Sequence, residues 1–300
     1  MIWVNQVLQG ILLGGYYALL ACGLSLMFGV MRIINLAHGD LAVLAAFLVF
    51  LLTEQAGLPL APALILVLAA MAVLGAVMQR TMLERSLRAG MLVPLLSTFG
   101  LSIVVENILF AGFGADTRSL APAIGSLAYD SWSIGDEIYV GRLSVLIFLA
   151  AVLLLVGLQL VLARTPLGRA LRATAENPDI AELVGINSRA VYAAAAAIAV
   201  ATAAIGGIFL AMRATFAPYA GPAQLIFAFE TVVIGGMSSL WGTLVGGIVL
   251  GVAQNIGAQL DPHGFLIAGH VVFLLGLACR LALGASETGG RFRALFGKAP

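Results

Sequence analysis

Long apolar segments separated by short polar ones form the dominant pattern of this chain. Five runs contain no Asp, Glu, Lys or Arg, namely residues 1–31, 55–79, 143–163, 190–212 and 231–260. A helix crosses the hydrocarbon of a membrane in about 20 residues, so several of these runs are long enough to span it. They lack the alternating pattern of a transmembrane barrel strand, and lipid admits only helices and closed barrels. The pattern therefore predicts an all-helical membrane protein.

The apolar pattern divides into nine segments, near residues 7–31, 35–53, 60–80, 92–112, 143–164, 190–212, 224–241, 243–260 and 264–283. Two are interrupted: only 41–53 of the second is continuously apolar, and 224–241 contains Glu230 and several small polar residues. Either segment could enter the membrane without crossing it. We predict an all-α polytopic membrane protein with about eight or nine transmembrane or re-entrant helices. They form a single domain, residues 1–290, followed by a tail, 291–300.

Composition agrees with this fold class, because 62% of the residues are hydrophobic and 10% are charged. Ordinary soluble domains have about 45–50% and about 25%. The first segment has no basic region before it and is too long for a cleaved leader, so we expect it to remain as a span. A net charge of +1 gives no attraction for nucleic acid, so lipid is the expected surrounding.

Basic residues concentrate in alternate loops, which indicates the orientation. One set of loops and the tail carry Arg80, Arg85, Arg88, Arg164, Arg169, Arg172, Arg189, Arg291, Arg293 and Lys298. Short loops rich in Lys and Arg stay in the cytoplasm. We therefore expect a multi-pass protein of the bacterial inner membrane with its N-terminus outside and its C-terminus in the cytoplasm. Residues 113–142 would form an external lid or docking loop, and 164–189 a cytoplasmic loop.

The cytoplasmic loop contains two helix-start signals. Thr165 precedes Pro166, and Asn177 precedes Pro178. A Thr or Asn followed by Pro is a typical N-cap with proline at the first helical position. Gly185 supplies a stop signal for the second helix. The pattern predicts a two-turn helix over residues 178–184.

That short helix has one apolar face, because Ile180, Leu183 and Val184 recur at helical spacing. Its acidic residues are Asp179, placed favourably near the helix N-terminus, and Glu182. A two-turn helix is marginal alone and needs a surface to press against. Two interpretations remain open: it seats in a groove of a cytoplasmic motor protein, or it packs on its own bundle.

Three motifs resemble those of permeases from ABC importers of the branched-chain amino acid type. The cytoplasmic loop contains GRALRA (168–173) followed by ENPDIAELVGI (176–186). The other two motifs are GLSLMFGVMRIINLAHGD (23–40) and FETVVIGGMSSLWGT (229–243). They occur in the order typical of that family, and the likeness covers essentially the whole chain. It is specific for the family and much less so for the substrate.

The resemblance implies a membrane subunit that works with a homologous second permease subunit, two cytoplasmic ABC ATPases and a periplasmic or external solute-binding protein. Contact with the ATPases is expected at the loop residues Asn177, Pro178, Asp179, Ile180, Glu182, Leu183 and Gly185. The chain itself has no phosphate-binding loop: its only Gly-Lys pair, Gly297-Lys298, is followed by Ala299. We therefore expect no cofactor here, with ATP and Mg bound by the ATPases.

Polar residues within apolar segments are the candidates for a solute path, because an unpaired polar atom is costly there. We select Asn35, His38, Asp40, Glu106 and Glu230. The alternative for Glu106 is a charge near the end of a span that holds helices together.

The first three path candidates precede an apolar segment. Asp40 could cap the helix that follows and leave His38 facing the path, or His38 could lie in a tight cytoplasmic turn beside Arg32. Glu230 precedes Gly235 and Gly236, where irregular backbone can line a cavity. Outside this set, Gln254 and Asn255 also interrupt an apolar run, and we expect His270 to be a hydrogen-bonded interhelical residue.

Few charges in the spans favour small neutral or zwitterionic solutes. Branched-chain amino acids are the substrates that we expect first. Urea, short amides and aromatic acids are alternative substrates within the family. An ion-coupled carrier is a rival function, with Glu106 or Glu230 as its site, although such a carrier does not require the capped loop helix. We find no catalytic motif and no metal-ligand spacing, so an enzyme is not expected.

Overall fold

The fold is described by a computed structural model of residues 2–90, 92–134 and 138–296, with only the backbone described for 88, 134 and 281–296. The helices are α1 (Ile2–Met31), α2 (His38–Phe50), α3 (Leu60–Met78), α4 (Glu84–Ala89), α5 (Val93–Phe113), α6 (Ala121–Ile124), α7 (Arg142–Arg164), α8 (Pro166–Glu176), α9 (Pro178–Leu183), α10 (Ser188–Arg213), α11 (Gly221–Gly235), α12 (Leu240–Leu260) and α13 (Gly264–Phe296). The π-helical turns Leu51–Gln55 and Gln79–Leu83 extend α2 and α3. Strands β1 (Ser131–Ile134) and β2 (Ile138–Gly141) form an antiparallel hairpin.

The predicted fold class is confirmed. Within the described ranges, seven helices are long and apolar enough to cross a membrane: α1, α2 and α3 with their extensions, α5, α7, α10 and α12. The apolar part of α13, Gly264–Arg280, and the shorter α11 account for the remaining two predicted segments. The hairpin between α5 and α7 was not predicted, and the last tail residues, 297–300, lie outside the described residues.

Helix α1 occupies the centre of the bundle and is buried on all sides along most of its length. A helix that is hydrophobic all round, as this one is, belongs in such a position. Helix α12 runs antiparallel to it at close range. Gly14 lies against the backbone of Ile248, and the amide of Gln6 donates to Gln259 at 2.8 Å near the other end of the pair. Small residues allow this close approach. In lipid the hydrophobic effect does not drive helices together, and close packing of this kind stabilises their association instead.

Two ends of the bundle can be distinguished. The first, here called the hairpin end, contains β1 and β2. Helix α7 leads from it to α8 and α9, which mark the opposite end, here called the α9 end. The N-terminal part of α1 lies at the hairpin end, where the Gln9 amide donates to the backbone oxygen of Tyr139 at 2.5 Å.

Helix α2 begins inside the bundle and not at its surface. After α1 ends, the chain turns back at Arg32, which has a φ of 56°. At the start of α2 the imidazole Nε2 of His38 lies 2.7 Å from the backbone oxygen of Leu20. Leu20 lies 11 residues before the end of α1, which corresponds to about 16 Å along the helix axis. Helix α2 therefore starts deep in the bundle and runs to the hairpin end.

Helix α11 also begins inside the bundle. Gly221 at its start contacts Gly39 and Asp40, and Gly235 at its end contacts Gly242 of α12 at the α9 end. The predicted segment 224–241 is thus wrong at its C-terminal boundary, since Gly236 has a φ of 111° and separates α11 from α12. Both doubtful segments are helices whose N-termini meet near the centre of the bundle, each joined to irregular backbone.

Candidate functional site

The predicted caps of the loop helices are present. The hydroxyl of Thr165 accepts a hydrogen bond from the backbone N–H of Gly168 at 3.0 Å. The side-chain oxygen of Asn177 accepts from the N–H groups of Asp179 and Ile180 at 3.0 and 3.1 Å. These bonds satisfy amide donors that a helix leaves unpaired in its first turn. Helix α9 ends at Leu183, and Gly185 follows with a φ of 87°, the left-handed conformation expected of the stop signal.

The apolar face of α9 points away from the bundle. Ala181 is buried, whereas the exposed fractions of Ile180, Leu183 and Val184 are 58%, 85% and 73%. The hydroxyl of Ser188 donates to the backbone oxygen of Pro178 at 3.2 Å and ties the helix to α10. Helix α9 thus lies on its own bundle through Ala181, whereas Ile180, Leu183 and Val184 take no part in that packing. This face is uncovered in the described chain.

A groove of about 590 Å³ lies beside α9, between it and the end of α4. Glu182 lines it from α9, and Leu87 lines it from α4. An ion pair between Glu84 and Arg189, with 3.0 Å between the nearest atoms, connects α4 with α10 at the groove. Both acidic residues of α9, Asp179 and Glu182, are exposed. The α9 end thus presents a small helix with apolar and acidic side chains next to a concave surface.

The polar residues before α2 are packed in the centre of the bundle. Asn35 and His38 are completely buried. The Asn35 side-chain oxygen accepts from the N–H of Ala37 at 3.1 Å and stabilises the turn into α2. His38 faces the backbone of Leu20 and is not in a surface turn beside Arg32, so the turn interpretation is wrong. The His38 side chain is enclosed in the described chain, and the expectation that it faces the solute path stays a prediction.

Asp40 does not cap α2, contrary to the expectation from the sequence, because the helix already begins at His38. Its carboxylate is buried and accepts a hydrogen bond from the hydroxyl of Ser102 on α5 at 2.5 Å. The other carboxylate oxygen has no hydrogen-bond partner among the described residues and lies against Gly221, the first residue of α11. Asp40 therefore connects α2 and α5 at the place where the N-termini of α2 and α11 meet.

Glu106 lies one turn beyond Ser102 on α5 and is half-buried. It is seven residues before the end of α5 at Phe113, and the alternative of a charge near the end of a span that holds helices together stays open. The path candidates Asn35, His38 and Asp40 thus cluster around the start of α2, with Glu106 on the neighbouring helix. Whether they line a solute path stays a prediction.

Glu230 lies apart from this cluster, on α11. Its side chain is 3% exposed, and one carboxylate oxygen contacts the imidazole Nδ1 of His270 on α13. The prediction that His270 is a hydrogen-bonded interhelical residue is confirmed. The imidazole itself is 48% exposed, so the pair connects the interior of the bundle with its surface.

A polar network in the bundle core was missed by the sequence reasoning. The Tyr16 hydroxyl donates to Gln224 at 2.7 Å, and the Tyr17 hydroxyl donates to Gln254 at 2.5 Å. The guanidinium of Arg213 lies 4.6 Å from the centre of the Tyr16 ring. In a hydropathy pattern, adjacent tyrosines within an apolar run are indistinguishable from other hydrophobic residues. The partners of their hydroxyl groups become known only when the positions of the neighbouring helices are known. The sequence feature that could have indicated this network is Gln254, a polar residue within a charge-free run.

Comparison with known proteins agrees with the sequence motifs. The family described as "Branched-chain amino acid transport system / permease component" matches residues 6–277. The high-affinity branched-chain amino acid transport system permease protein BraD of Pseudomonas aeruginosa is 31% identical over 286 residues, which cover 91% of this chain and 92% of BraD. No solved structure matches this chain.

Two proteins of Escherichia coli with the same type of name are also similar. The permease protein LivH is 27% identical over 267 residues, which cover 85% of each chain. The permease protein LivM is 29% identical over 116 residues, or 38% of this chain and 27% of LivM.

Proposed function

Because this chain belongs to the permease-component family of branched-chain amino acid transport systems, we propose that it moves branched-chain or related amino acids into the cell. It is a multi-pass membrane protein and a permease subunit of an ABC importer. The substrate follows from the names of BraD and LivH, which both specify branched-chain amino acids. The single observation that supports the mechanism most directly is the uncovered apolar face of α9.

The orientation proposed places the α9 end in the cytoplasm and the hairpin end outside. Basic residues of the α9 end include Arg80, Arg85, Arg164, Arg169, Arg172 and Arg189, whereas Glu54, Asp116, Asp130 and Asp261 lie at the hairpin end. Cytoplasmic loops are enriched in Lys and Arg. The N-terminus is then external and the C-terminal tail, residues 291–300, cytoplasmic.

Helix α9 acts in this proposal as the coupling helix that contacts an ABC ATPase. Its six residues are too few for a stable helix alone. The Asn177 cap and the Ser188 hydrogen bond hold it against α10, and Ile180, Leu183 and Val184 remain free to enter a groove on the ATPase. Burial of these side chains favours docking, and the attachment to α10 passes movement of the ATPase to a central span.

The complete importer contains this chain, a second permease subunit, two ABC ATPases and an external solute-binding protein. The partial similarity to LivM supports a homologous second permease. The external surface for the solute-binding protein is the loop 113–142, in which Arg142 and Asp130 form an ion pair at 2.8 Å next to the hairpin. Nucleotide and Mg bind to the ATPases, and specificity resides largely in the solute-binding protein.

The experiment reverses both acidic charges of α9, in the variant Asp179→Arg/Glu182→Arg. We expect the variant protein to insert and fold normally, while ATP hydrolysis by the complex no longer drives uptake of leucine into vesicles. The matched control is Glu54→Arg, a charge reversal at an exposed position of the hairpin end, which should retain coupled uptake.

Two results would contradict the proposal. Normal uptake by the double variant removes the coupling role of α9. Uptake by this chain alone, with an ion gradient and no ATPase, identifies an ion-coupled carrier instead. Co-purification of ATPase subunits with the wild-type chain is the expected outcome.

A further inference from the structure

A cavity of about 320 Å³ lies between the segment before α2, α5, α11 and α13. Its walls are apolar, with Ile34, Leu95, Leu225 and Ile226 among them, and Glu230 is the one ionisable residue among the described residues of its lining. The volume is within the range of about 300–1,000 Å³ that is typical of small-molecule sites. An apolar cavity with a single carboxylate is selective in its chemistry, because an isolated charge in such surroundings needs a partner.

The Glu230 carboxylate is only half satisfied within the described chain. One oxygen contacts the imidazole of His270, whereas Oε2 is buried and has no hydrogen-bond partner there. A buried acceptor without a donor is costly, and for a charged group the cost is larger. Oε2 of the carboxylate therefore lacks a hydrogen-bond donor among the described residues beside the cavity, and a ligand N–H group that reaches it would supply one.

The aromatic residues of the cavity favour a cation as that donor. Phe229 and Phe273 both line it, with ring centres 6.1 Å apart and ring planes inclined by 56°. The face of an aromatic ring attracts a cation, and the attraction increases where water is excluded. Within the part of the chain that the structure describes, no Lys or Arg lines the cavity, so an anionic group has no partner in it.

We propose that this cavity binds the ammonium group of an aliphatic solute, with the ammonium at Glu230 and the Phe229–Phe273 pair, and the hydrocarbon against Leu225, Ile226 and Leu95. The inference rests on the proposed function, and it identifies within the permease a site for the amino end of a branched-chain amino acid. The carboxylate of such a ligand stays at the open side of the cavity.

The test measures equilibrium binding to the assembled complex in lipid nanodiscs, without the solute-binding protein. Three radiolabelled probes of similar shape are used: leucine, isoamylamine, which lacks the carboxylate, and isocaproate, which lacks the ammonium. Leucine and isoamylamine should bind and isocaproate should not. Glu230→Gln should weaken binding of both amines by about tenfold or more, because it removes a charge-assisted hydrogen bond.

A second variant separates ligand binding from the stability of the Glu230–His270 pair. Ile226→Trp fills the cavity and leaves the pair intact, and it should abolish binding of both amines. The matched controls are Ile267→Trp on the exposed surface of α13 and Glu54→Gln at the hairpin end, which should bind the amines like the wild type. Thermal unfolding of each variant verifies that it is folded.

The site is overturned if no amine binds to the wild type, if isocaproate binds as well as isoamylamine, or if Glu230→Gln and Ile226→Trp both bind leucine normally. Each of these results is compatible with a complex that still couples ATP hydrolysis to uptake, so the proposed function would survive it. Conversely, failure of the chain to assemble with ATPases removes the proposed function, whatever the cavity binds.

Discussion

Glycine residues at helix crossings determine how closely the spans approach one another. Gly14 of α1 and Gly247 of α12 face each other, and a Cβ at Gly14 would lie 2.5 Å from the Cα of Ile248. The neighbour is backbone and cannot rotate away. A Cβ at Gly100 of α5, also within a helix, would have no described atom within 4 Å. The same residue type thus has a packing role at one site and none at the other.

Gly14→Ala should destabilise the protein because the added methyl group separates α1 from α12. The expected loss is about 1–3 kcal/mol in the free energy of unfolding, as for other overpacked cores. Gly100→Ala is the control and should be neutral or stabilising by up to about 1 kcal/mol, since alanine has the higher helix propensity. Thermal unfolding in detergent measures both. Equal effects of the two substitutions would show that the α1–α12 contact is not as close as described.

The residue types of the site were predictable, but their contacts were not. Charge and polarity within apolar runs identified Asp40 and Glu230 because such residues are rare in spans. The partners Ser102 and His270 lie 62 and 40 residues away in sequence, and no periodicity relates the helices that carry them. For the same reason the predicted cap at Asp40 was wrong, since its carboxylate is engaged by another helix.

At the scale of elements, caps and stops were readable from the sequence because they depend on neighbouring residues only. The helices α8 and α9 begin at the predicted residues, Pro166 and Pro178. Helices α2 and α11 were recognised only as interrupted segments. Hydropathy indicates how apolar a segment is, but it does not indicate the depth at which its helix begins. The contact between α2 and α11 inside the bundle could therefore be found only from the structure.

Removal of the α9 cap tests how far a short helix depends on it. Asn177→Ala leaves two amide donors without their acceptor and should destabilise α9 by about 1 kcal/mol. Because α9 has few other contacts, we expect leucine uptake by the complex to decrease several-fold while the thermal unfolding of the bundle stays unchanged.

The control for this cap is Ser239→Ala. Ser239 caps α12 through the N–H of Gly242 at 3.0 Å, but α12 has 21 residues and packs along α1. Its loss should leave uptake near the wild-type value. An equal decrease in both variants would show that cap strength in general, and not the α9 surface, limits uptake.

At the scale of the whole molecule, α2 and α11 run in opposite directions from a common level. Helix α2 extends to the hairpin end and α11 to the α9 end, with Gly39 and Gly221 in contact between their N-termini. Transporters with inverted repeats place interrupted helices in this way around the middle of the membrane, where irregular backbone is tolerated only inside the protein.

The orientation of the molecule can be tested with single cysteines. With Cys22→Ala and Cys279→Ser as the background, a cysteine is placed at Tyr129 or at Leu183, whose side chains are 77% and 85% exposed at opposite ends. In the orientation that we propose from the bias of basic residues towards the α9 end, Leu183 lies in the cytoplasm. In intact cells a membrane-impermeant maleimide should label Tyr129→Cys and not Leu183→Cys.

Inverted vesicles stripped of ATPase subunits should show the reverse pattern, and adding the ATPases back should shield Leu183→Cys from the reagent. The shielding follows from docking of the apolar face of α9, in which Leu183 is the most exposed residue. Labelling of Leu183→Cys in intact cells would invert the topology and separate α9 from any cytoplasmic ATPase. If the labelling pattern agrees with the proposed orientation but the ATPases do not shield Leu183→Cys, the orientation is retained and the ATPase contact must lie elsewhere than on α9.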